Sequence, residues 1–121
     1  METEEKKIKG RILVVDDEER IRDAVKRALE RVGYVVETSL NGGETLEKIQ
    51  KDSFDMVICD IKMPGMDGVT LLDRIKEYDP SMMVLMITGF ASIESAVESM
   101  KKGAQEYIPK PFSPTHIRFL V

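Results

Sequence analysis

Acidic side chains directly follow two apolar runs of this sequence. The run 56–59 ends on Asp60, ahead of a loop rich in proline and glycine, and an earlier run, 11–15, ends on Asp16 and Asp17. A short continuous apolar run predicts a strand buried on both faces, and open α/β sheets bind their ligands beyond the carboxyl ends of such strands. We therefore interpret Asp60 as a nucleophile that accepts a phosphoryl group. The plain alternative is an Asp that only starts the loop.

The apolar pattern predicts five strands that alternate with five helices. We predict strands over 11–15, 34–38, 56–60, 82–87 and 106–108. The first helix ends before Gly33, the second follows a turn over 41–43, the third spans 69–77, the fourth spans 92–102, and a fifth begins near Pro114. Uniformly apolar strands between helices indicate a parallel sheet covered on both faces. Right-handed crossovers then favour a doubly wound, flavodoxin-like α/β fold with the strand order 2-1-3-4-5.

That strand order brings the chemically active side chains to one edge of the sheet. Strands one and three become neighbours about 5 Å apart, so Asp16, Asp17 and Asp60 should converge there. Crowded carboxylates repel one another unless a cation intervenes, and two remedies are Mg²⁺, which takes carboxylate oxygens, and Lys110, which follows the fifth strand. Thr88 follows the fourth strand and could reach an oxygen on a modified Asp60. A carboxylate nucleophile, a cation and a lysine are the groups that aspartyl-phosphate chemistry uses.

Each of these residues also has an ordinary structural explanation. An acidic first helical turn, favoured by the helix dipole, accounts for Glu18 and Glu19 but not for two Asp residues at a strand end. Lys110 alone would be a solvated surface lysine, and Thr88 alone a common strand end before a glycine. The coincidence of all these groups at one sheet edge favours the chemical interpretation.

Composition limits the class of protein. The 121 residues are 42% hydrophobic and 33% charged, with a net charge of −4, which is typical of one globular domain and offers no basic stripe for binding nucleic acid. No apolar run reaches the roughly 20 residues of a membrane helix, and the first residues do not show a signal-peptide pattern. Cys59 is the only cysteine, and we interpret it as a core residue in a cytoplasmic protein. We expect a charged lead-in over 1–9 and one domain over 10–121, truncated in its fifth helix.

Three segments, taken in order, make the chain resemble a receiver domain of a two-component response regulator over nearly all of residues 10 to 121. They are ILVVDDE, CDIKMPGMDG and MITGFASIESAVESMKKGAQEYIPKPF. The last is most similar to the enhancer-binding, nitrogen-regulator class of these transcription regulators. The resemblance implies that Asp60 takes a phosphoryl group from a sensor histidine kinase, in a transfer that the domain itself catalyses. It also implies that the domain slowly dephosphorylates itself. It also implies a C-terminal output domain beyond this chain and a homodimer through helix 4, strand 5 and helix 5.

The resemblance assigns a metal site to the acidic residues. Asp17 and Asp60 would ligate Mg²⁺ directly, together with the main-chain carbonyl of Lys62. Asp16 would act mainly through a bound water.

The resemblance also assigns residues to phosphate binding and to switching. Lys110 would hold a phosphate oxygen, and the bond between Lys110 and Pro111 would be cis. Thr88 and Tyr107 match the switch pair of the family. Phe90, together with Lys62, flanks the site and is expected to tune the lifetime of the phosphoryl group.

Two other functions use similar chemistry or the same topology. A magnesium-dependent phosphohydrolase with an aspartyl nucleophile, of the haloacid-dehalogenase type, carries a second Asp two residues after the nucleophile, where this chain has Lys62. A flavin-binding module needs a phosphate cradle rich in Gly, Ser and Thr after the first strand. This chain instead offers Asp16 and Asp17 there, which repel phosphate.

Overall fold

The computed structural model describes residues 10–61, 63, 65–88 and 93–109, in which five strands alternate with four helices. The strands are β1 (Arg11–Val15), β2 (Val35–Ser39), β3 (Met56–Asp60), β4 (Met83–Thr88) and β5 (Glu106–Pro109). The helices are α1 (Glu19–Glu30), α2 (Gly42–Lys51), α3 (Gly68–Tyr78) and α4 (Ile93–Lys101). Each strand lies within one residue of its predicted bounds. The predicted fifth helix lies outside the described residues, and none of the described helices is long and apolar enough to cross a membrane.

The strands form one parallel sheet with the order β2-β1-β3-β4-β5, which confirms the predicted topology. Strand β2 lies at an edge, where unpaired carbonyl groups could accept another strand. Two lysines from flanking helices donate hydrogen bonds to carbonyl groups of this strand. Lys26 Nζ donates to the Val36 carbonyl at 3.2 Å, and Lys48 Nζ donates to the Thr38 carbonyl at 2.6 Å.

Apolar side chains are buried on both faces of the sheet, because neighbouring residues of a strand point to opposite sides. One cluster joins the sheet to α1, through Val25 and Leu29. The other joins it to α2 and α3, through Ile49, Leu71 and Ile75. Residues that alternate along β1, β3 and β4 divide between the two clusters, which explains why the sequences of these strands are continuously apolar.

Capping side chains set the starts of α2 and α3. Asn41 accepts a hydrogen bond from the backbone N–H of Glu44 at 2.9 Å, and Asp67 accepts one from that of Thr70 at 2.8 Å. The turn predicted over 41–43 is therefore wrong in part, because Gly42 already belongs to α2. A cap that satisfies an open N–H group outweighs the weak helix preference of glycine.

Candidate acidic site at the carboxyl edge of the sheet

Asp16, Asp17 and Asp60 meet where β1 and β3 end. Val15 is level with Cys59 in the parallel register, so Asp16 and Asp60 follow side by side. One carboxylate oxygen from each of the three Asp residues lies within 4.8 Å of those from the other two. Asp16 and Asp60 are buried, whereas Asp17 is exposed. The convergence predicted from strand order is confirmed. Asp16 and Asp60 form the buried part of the site, and Asp17 lies on its solvent-exposed side.

Three hydrogen bonds fix the backbone and side chain of Asp16. Its backbone N–H donates to the Ser39 carbonyl at 3.3 Å, and its Oδ1 accepts from the backbone N–H of Glu18 at 2.9 Å. Its main-chain carbonyl accepts from Nη1 of Arg22 at 2.6 Å. Sequence reasoning missed Arg22. The available signal was an arginine in α1, close in sequence to the acids that precede the helix.

The loop after β3 folds back tightly onto Asp60. Ile61 donates its N–H to the Ile87 carbonyl of β4 at 3.1 Å, and Gly68 donates its N–H to the Ile61 carbonyl at 2.7 Å. A Cβ atom on Gly68 would lie 2.7 Å from the Cα atom of Ile61 and 2.9 Å from the carbonyl carbon of Asp60. Only glycine leaves enough room for this approach, so Gly68 fixes the backbone beside Asp60.

Cys59, next to Asp60, is not a competing nucleophile. It is fully buried, and its Sγ donates to the Asp60 carbonyl at 3.3 Å. Burial, reinforced by the carboxylates of Asp60 and Asp16, raises the pKa of the thiol far above its ordinary value. A thiol that stays protonated is a poor nucleophile and a poor metal ligand, which agrees with its interpretation as a core residue.

The donor set at this edge fits a hard divalent cation. Three carboxylates supply only oxygen ligands, and Mg²⁺ is typically held by one or two carboxylates, with waters and phosphate oxygens completing its shell. The exposed carboxylate of Asp17 leaves a side through which water and phosphate oxygens can enter. Cys59, the one cysteine of the sequence, offers no thiolate to a soft metal, because its thiol is buried and protonated.

The sheet register gives the positions of the other predicted site residues that the structure describes. Ile87 is level with Asp60, so Thr88 follows one residue beyond the partner of Asp60 on the neighbouring strand. Tyr107 on β5 is level with Met86 of β4. The remaining predicted site residues lie outside the described part of the chain: Lys62, Phe90, Lys110 and Pro111.

Comparisons with known proteins agree with this geometry. The family model described as "Response regulator receiver domain" matches residues 12–121. NtrC of Escherichia coli K12, a DNA-binding transcriptional regulator, is 40% identical over 104 residues, which are 86% of this chain and 22% of NtrC. The transcriptional regulatory protein ZraR of Klebsiella oxytoca is 43% identical over 100 residues, which are 83% of this chain and 23% of ZraR. The chain thus spans less than a quarter of the length of these relatives.

Solved structures match the fold. A CheY-like response regulator receiver domain protein from Methanospirillum hungatei JF-1 has a TM-score of 0.87 and 42% identity, covering 92% of this chain and 88% of that one. NtrX from Brucella abortus also has a TM-score of 0.87, with 37% identity, covering 92% of this chain and 25% of that one. These matches favour the receiver interpretation over the phosphohydrolase and flavin alternatives. The chain belongs to the family of response regulator receiver domains, which are phosphoacceptor signalling domains.

Proposed function

We propose that Asp60 is the residue that accepts the phosphoryl group, from a phosphohistidine of a sensor histidine kinase. The observation that supports this most strongly is the burial of the Asp60 carboxylate at the end of β3, within 4.8 Å of carboxylate oxygens of Asp16 and Asp17. Open α/β sheets hold their ligands at this edge. Gly68 closes the following loop against the backbone of Asp60, which holds this residue in place.

The proposed transfer needs few groups from the chain. A carboxylate oxygen of Asp60 attacks the phosphorus atom, and the new O–P bond forms as the P–N bond to the imidazole of the donor breaks. The electron pair of that bond stays on the imidazole nitrogen. Catalysis then depends on alignment and on neutralising the charge of the phosphoryl oxygens. In the same proposal, Lys110 holds one of these oxygens and the hydroxyl of Thr88 binds another.

A magnesium ion completes the proposed site. Asp17 and Asp60 would hold it directly, with the main-chain carbonyl of Lys62, and Asp16 would hold one of its waters. When bound, the ion supplies positive charge that offsets both the crowded carboxylates and the incoming phosphoryl oxygens. In the same site, attack of water on the phosphorus atom would break the O–P bond to Asp60 and release inorganic phosphate, so the chain would slowly remove its own modification.

Replacing Asp17 by Asn should weaken Mg²⁺ binding by at least about tenfold, or about 1.4 kcal/mol, because a charged oxygen ligand is lost. The variant should remain folded. Its free energy of unfolding without metal should exceed that of the wild type, since one of three repelling charges is gone. Calorimetric titration with Mg²⁺ and urea unfolding in EDTA measure the two effects. Uptake of a phosphoryl group from acetyl phosphate should fall in parallel.

Asp23→Asn is a suitable control for that experiment. Asp23 is an exposed acid on α1 and lies outside the acidic cluster, so its removal changes the net charge equally. It should leave Mg²⁺ affinity nearly unchanged. The proposed ligand role of Asp17 is wrong if Asp17→Asn binds Mg²⁺ as tightly as the wild type, or if it unfolds more easily than the wild type in EDTA.

A switch between two pre-existing conformations is the second part of the proposal. Thr88 ends β4, and Tyr107 lies on the adjacent β5, level with Met86. A Thr88 hydroxyl drawn toward phosphorylated Asp60 would vacate space that the ring of Tyr107 could fill, which would shift α4. Phosphorylation can tilt this balance only by its differential affinity for the two states.

Replacing Thr88 by Ala should uncouple α4 from the phosphorylation site. In wild-type protein, beryllofluoride with Mg²⁺ should change backbone NMR shifts at Asp60, over 88–102 and at Tyr107. In Thr88→Ala, the changes remote from Asp60 should shrink while those beside it persist. If the wild type itself responds only at residues that touch the phosphoryl mimic, the chain binds the mimic but does not switch.

We infer that the partners of this chain use α4 and β5. Val97 and Met100, one turn apart on α4, are 46% and 45% exposed, which leaves an apolar strip on the outer side of this helix. Such a strip suits a second copy of the chain or an output domain. NtrC is named as a DNA-binding transcriptional regulator, so we propose a C-terminal output domain that regulates transcription, in the cytoplasm.

A further inference from the structure

Arg22 brings a positive charge to the back of the acidic site. Its half-buried guanidinium donates from Nη1 to the main-chain carbonyl of Asp16 at 2.6 Å. Only the Cα and Cβ atoms of Asp16 separate that carbonyl group from the carboxyl group in the acidic cluster. The backbone N–H of Arg22 is itself bonded to the Glu18 carbonyl at 3.1 Å, as part of the first turn of α1. The charge is therefore held against the main chain of Asp16, one of the three residues of the acidic cluster.

The field of Arg22 extends beyond Asp16. The pKa of Glu44, near the start of α2, is lowered mainly by a hydrogen bond from the backbone N–H of Leu40, and the charge of Arg22 is among the smaller contributions. This small contribution has the sign expected of a positive charge near the end of β2 and the start of α2. Asp16, whose main chain the guanidinium contacts, and Asp60 are buried, and charges near buried groups are screened weakly.

We propose that Arg22 is a built-in counter-charge of the acidic cluster, which stabilises the metal-free protein and opposes the entry of a divalent cation. The part of this proposal that concerns the cation rests on the proposed Mg²⁺ site. Arg22 is a positioning residue, since its contact is with the main chain of Asp16 and it is not itself a ligand. It sets how strongly the domain depends on metal for its stability.

Removing this charge should change stability and metal binding in opposite directions. Arg22→Gln should unfold at a lower urea concentration than the wild type in EDTA, because the carboxylates repel one another more strongly. It should bind Mg²⁺ roughly three- to tenfold more tightly, because the cation no longer meets a like charge. By linkage, saturating Mg²⁺ should then narrow the difference in stability between the variant and the wild type.

If Arg22 only held the loop in place, Arg22→Gln would bind Mg²⁺ more weakly than the wild type, not more tightly. Loss of positioning alone would weaken Mg²⁺ binding along with stability, so the sign of the change in affinity separates the two roles. Arg22→Lys keeps the charge and one donor, and it should behave nearly like the wild type. Arg20→Gln is the matched control, because Arg20 is exposed on the same helix and its loss changes the net charge equally; it should change neither quantity appreciably.

The experiment combines Mg²⁺ titration by calorimetry with urea unfolding, in EDTA and in saturating Mg²⁺, for wild type and the three variants. If Arg22→Gln is too unstable to titrate, the double variant with Asp17→Asn supplies the test. In EDTA, Arg22→Gln should lower the free energy of unfolding less in the Asp17→Asn background than in the wild type, because one of the carboxylates that Arg22 offsets is then gone.

The proposal is overturned if Arg22→Gln binds Mg²⁺ as the wild type does or more weakly, or if its metal-free stability matches that of Arg20→Gln. Failure of the proposed metal site looks different, because the wild type itself would then bind no Mg²⁺. In that case unfolding in EDTA still decides the matter. Equal stability of Arg22→Gln and Arg20→Gln would exclude a counter-charge role for Arg22, and a specific loss in Arg22→Gln that shrinks in the Asp17→Asn background would support it.

Discussion

Replacing Asp60 by Asn should abolish uptake of a phosphoryl group while leaving the protein folded. The amide has nearly the shape of the carboxylate but lacks its nucleophilic oxygen, so no acyl phosphate can form. The metal-free protein should be at least as stable as the wild type, because a buried charge within 4.8 Å of two others is removed. Intact mass after incubation with acetyl phosphate and Mg²⁺ should show one added group on the wild type and none on Asp60→Asn.

Asp67→Asn is the control for this comparison. Asp67 lies exposed in the same loop and caps α3 through a hydrogen bond from the backbone N–H of Thr70. Asn is an equally good N-cap, so this variant should fold and take up the phosphoryl group as the wild type does. If Asp60→Asn were labelled as fully as the wild type, the phosphoacceptor would have to be another residue.

Replacing Gly68 by Ala should destabilise the domain and disturb the acidic site together. The new Cβ would lie 2.7 Å from the Cα atom of Ile61 and still closer to the carbonyl oxygen of Asp60. These are backbone atoms of a buried strand end, which cannot move aside as a flexible side chain could. We expect a loss of roughly 2–3 kcal/mol in the free energy of unfolding, measured in urea. Mg²⁺ affinity should fall as well, because Asp60 would be displaced.

Gly43→Ala is the matched control for crowding at Gly68. Both glycines lie in the first turn of a helix, but a Cβ on Gly43 would have only Asn41 Oδ1 nearby, at an ordinary 3.6 Å. Alanine at this position should stabilise α2 by roughly 0.5–1 kcal/mol. If Gly68→Ala were as stable as the wild type, the tight approach of α3 to the end of β3 would not constrain the site.

The strands could be predicted closely because burial on both sheet faces leaves a continuous apolar run in the sequence. The run over 56–60 coincides with β3, and the predicted strand order follows from the preference for right-handed crossovers. Helix starts were less accurate, since glycine carries a strong turn signal. Gly42 and Gly68 both open helices because Asn41 and Asp67 cap them.

The meeting of the three acids could be predicted because it needs only strand order and the residue that ends each strand. Which of them is buried could not, since that depends on how loops close over the edge. The position of Arg22 in α1, close in sequence to the acids, was visible in the sequence, but its contact with the Asp16 carbonyl could not be predicted from that position. A long flexible side chain has many reachable partners, and the tertiary structure selects among them. The same holds for Lys26 and Lys48 at the edge of β2.

The residue that carries the phosphoryl group can be identified directly in the wild-type protein. After incubation with acetyl phosphate and Mg²⁺, borohydride reduction converts an aspartyl phosphate into homoserine, and peptide mass mapping locates the converted residue. We predict homoserine at Asp60 alone, and no conversion when EDTA removes the metal. Conversion at Asp16 or Asp17, or labelling that persists in EDTA, would contradict the assignment of Asp60 as the metal-dependent phosphoacceptor.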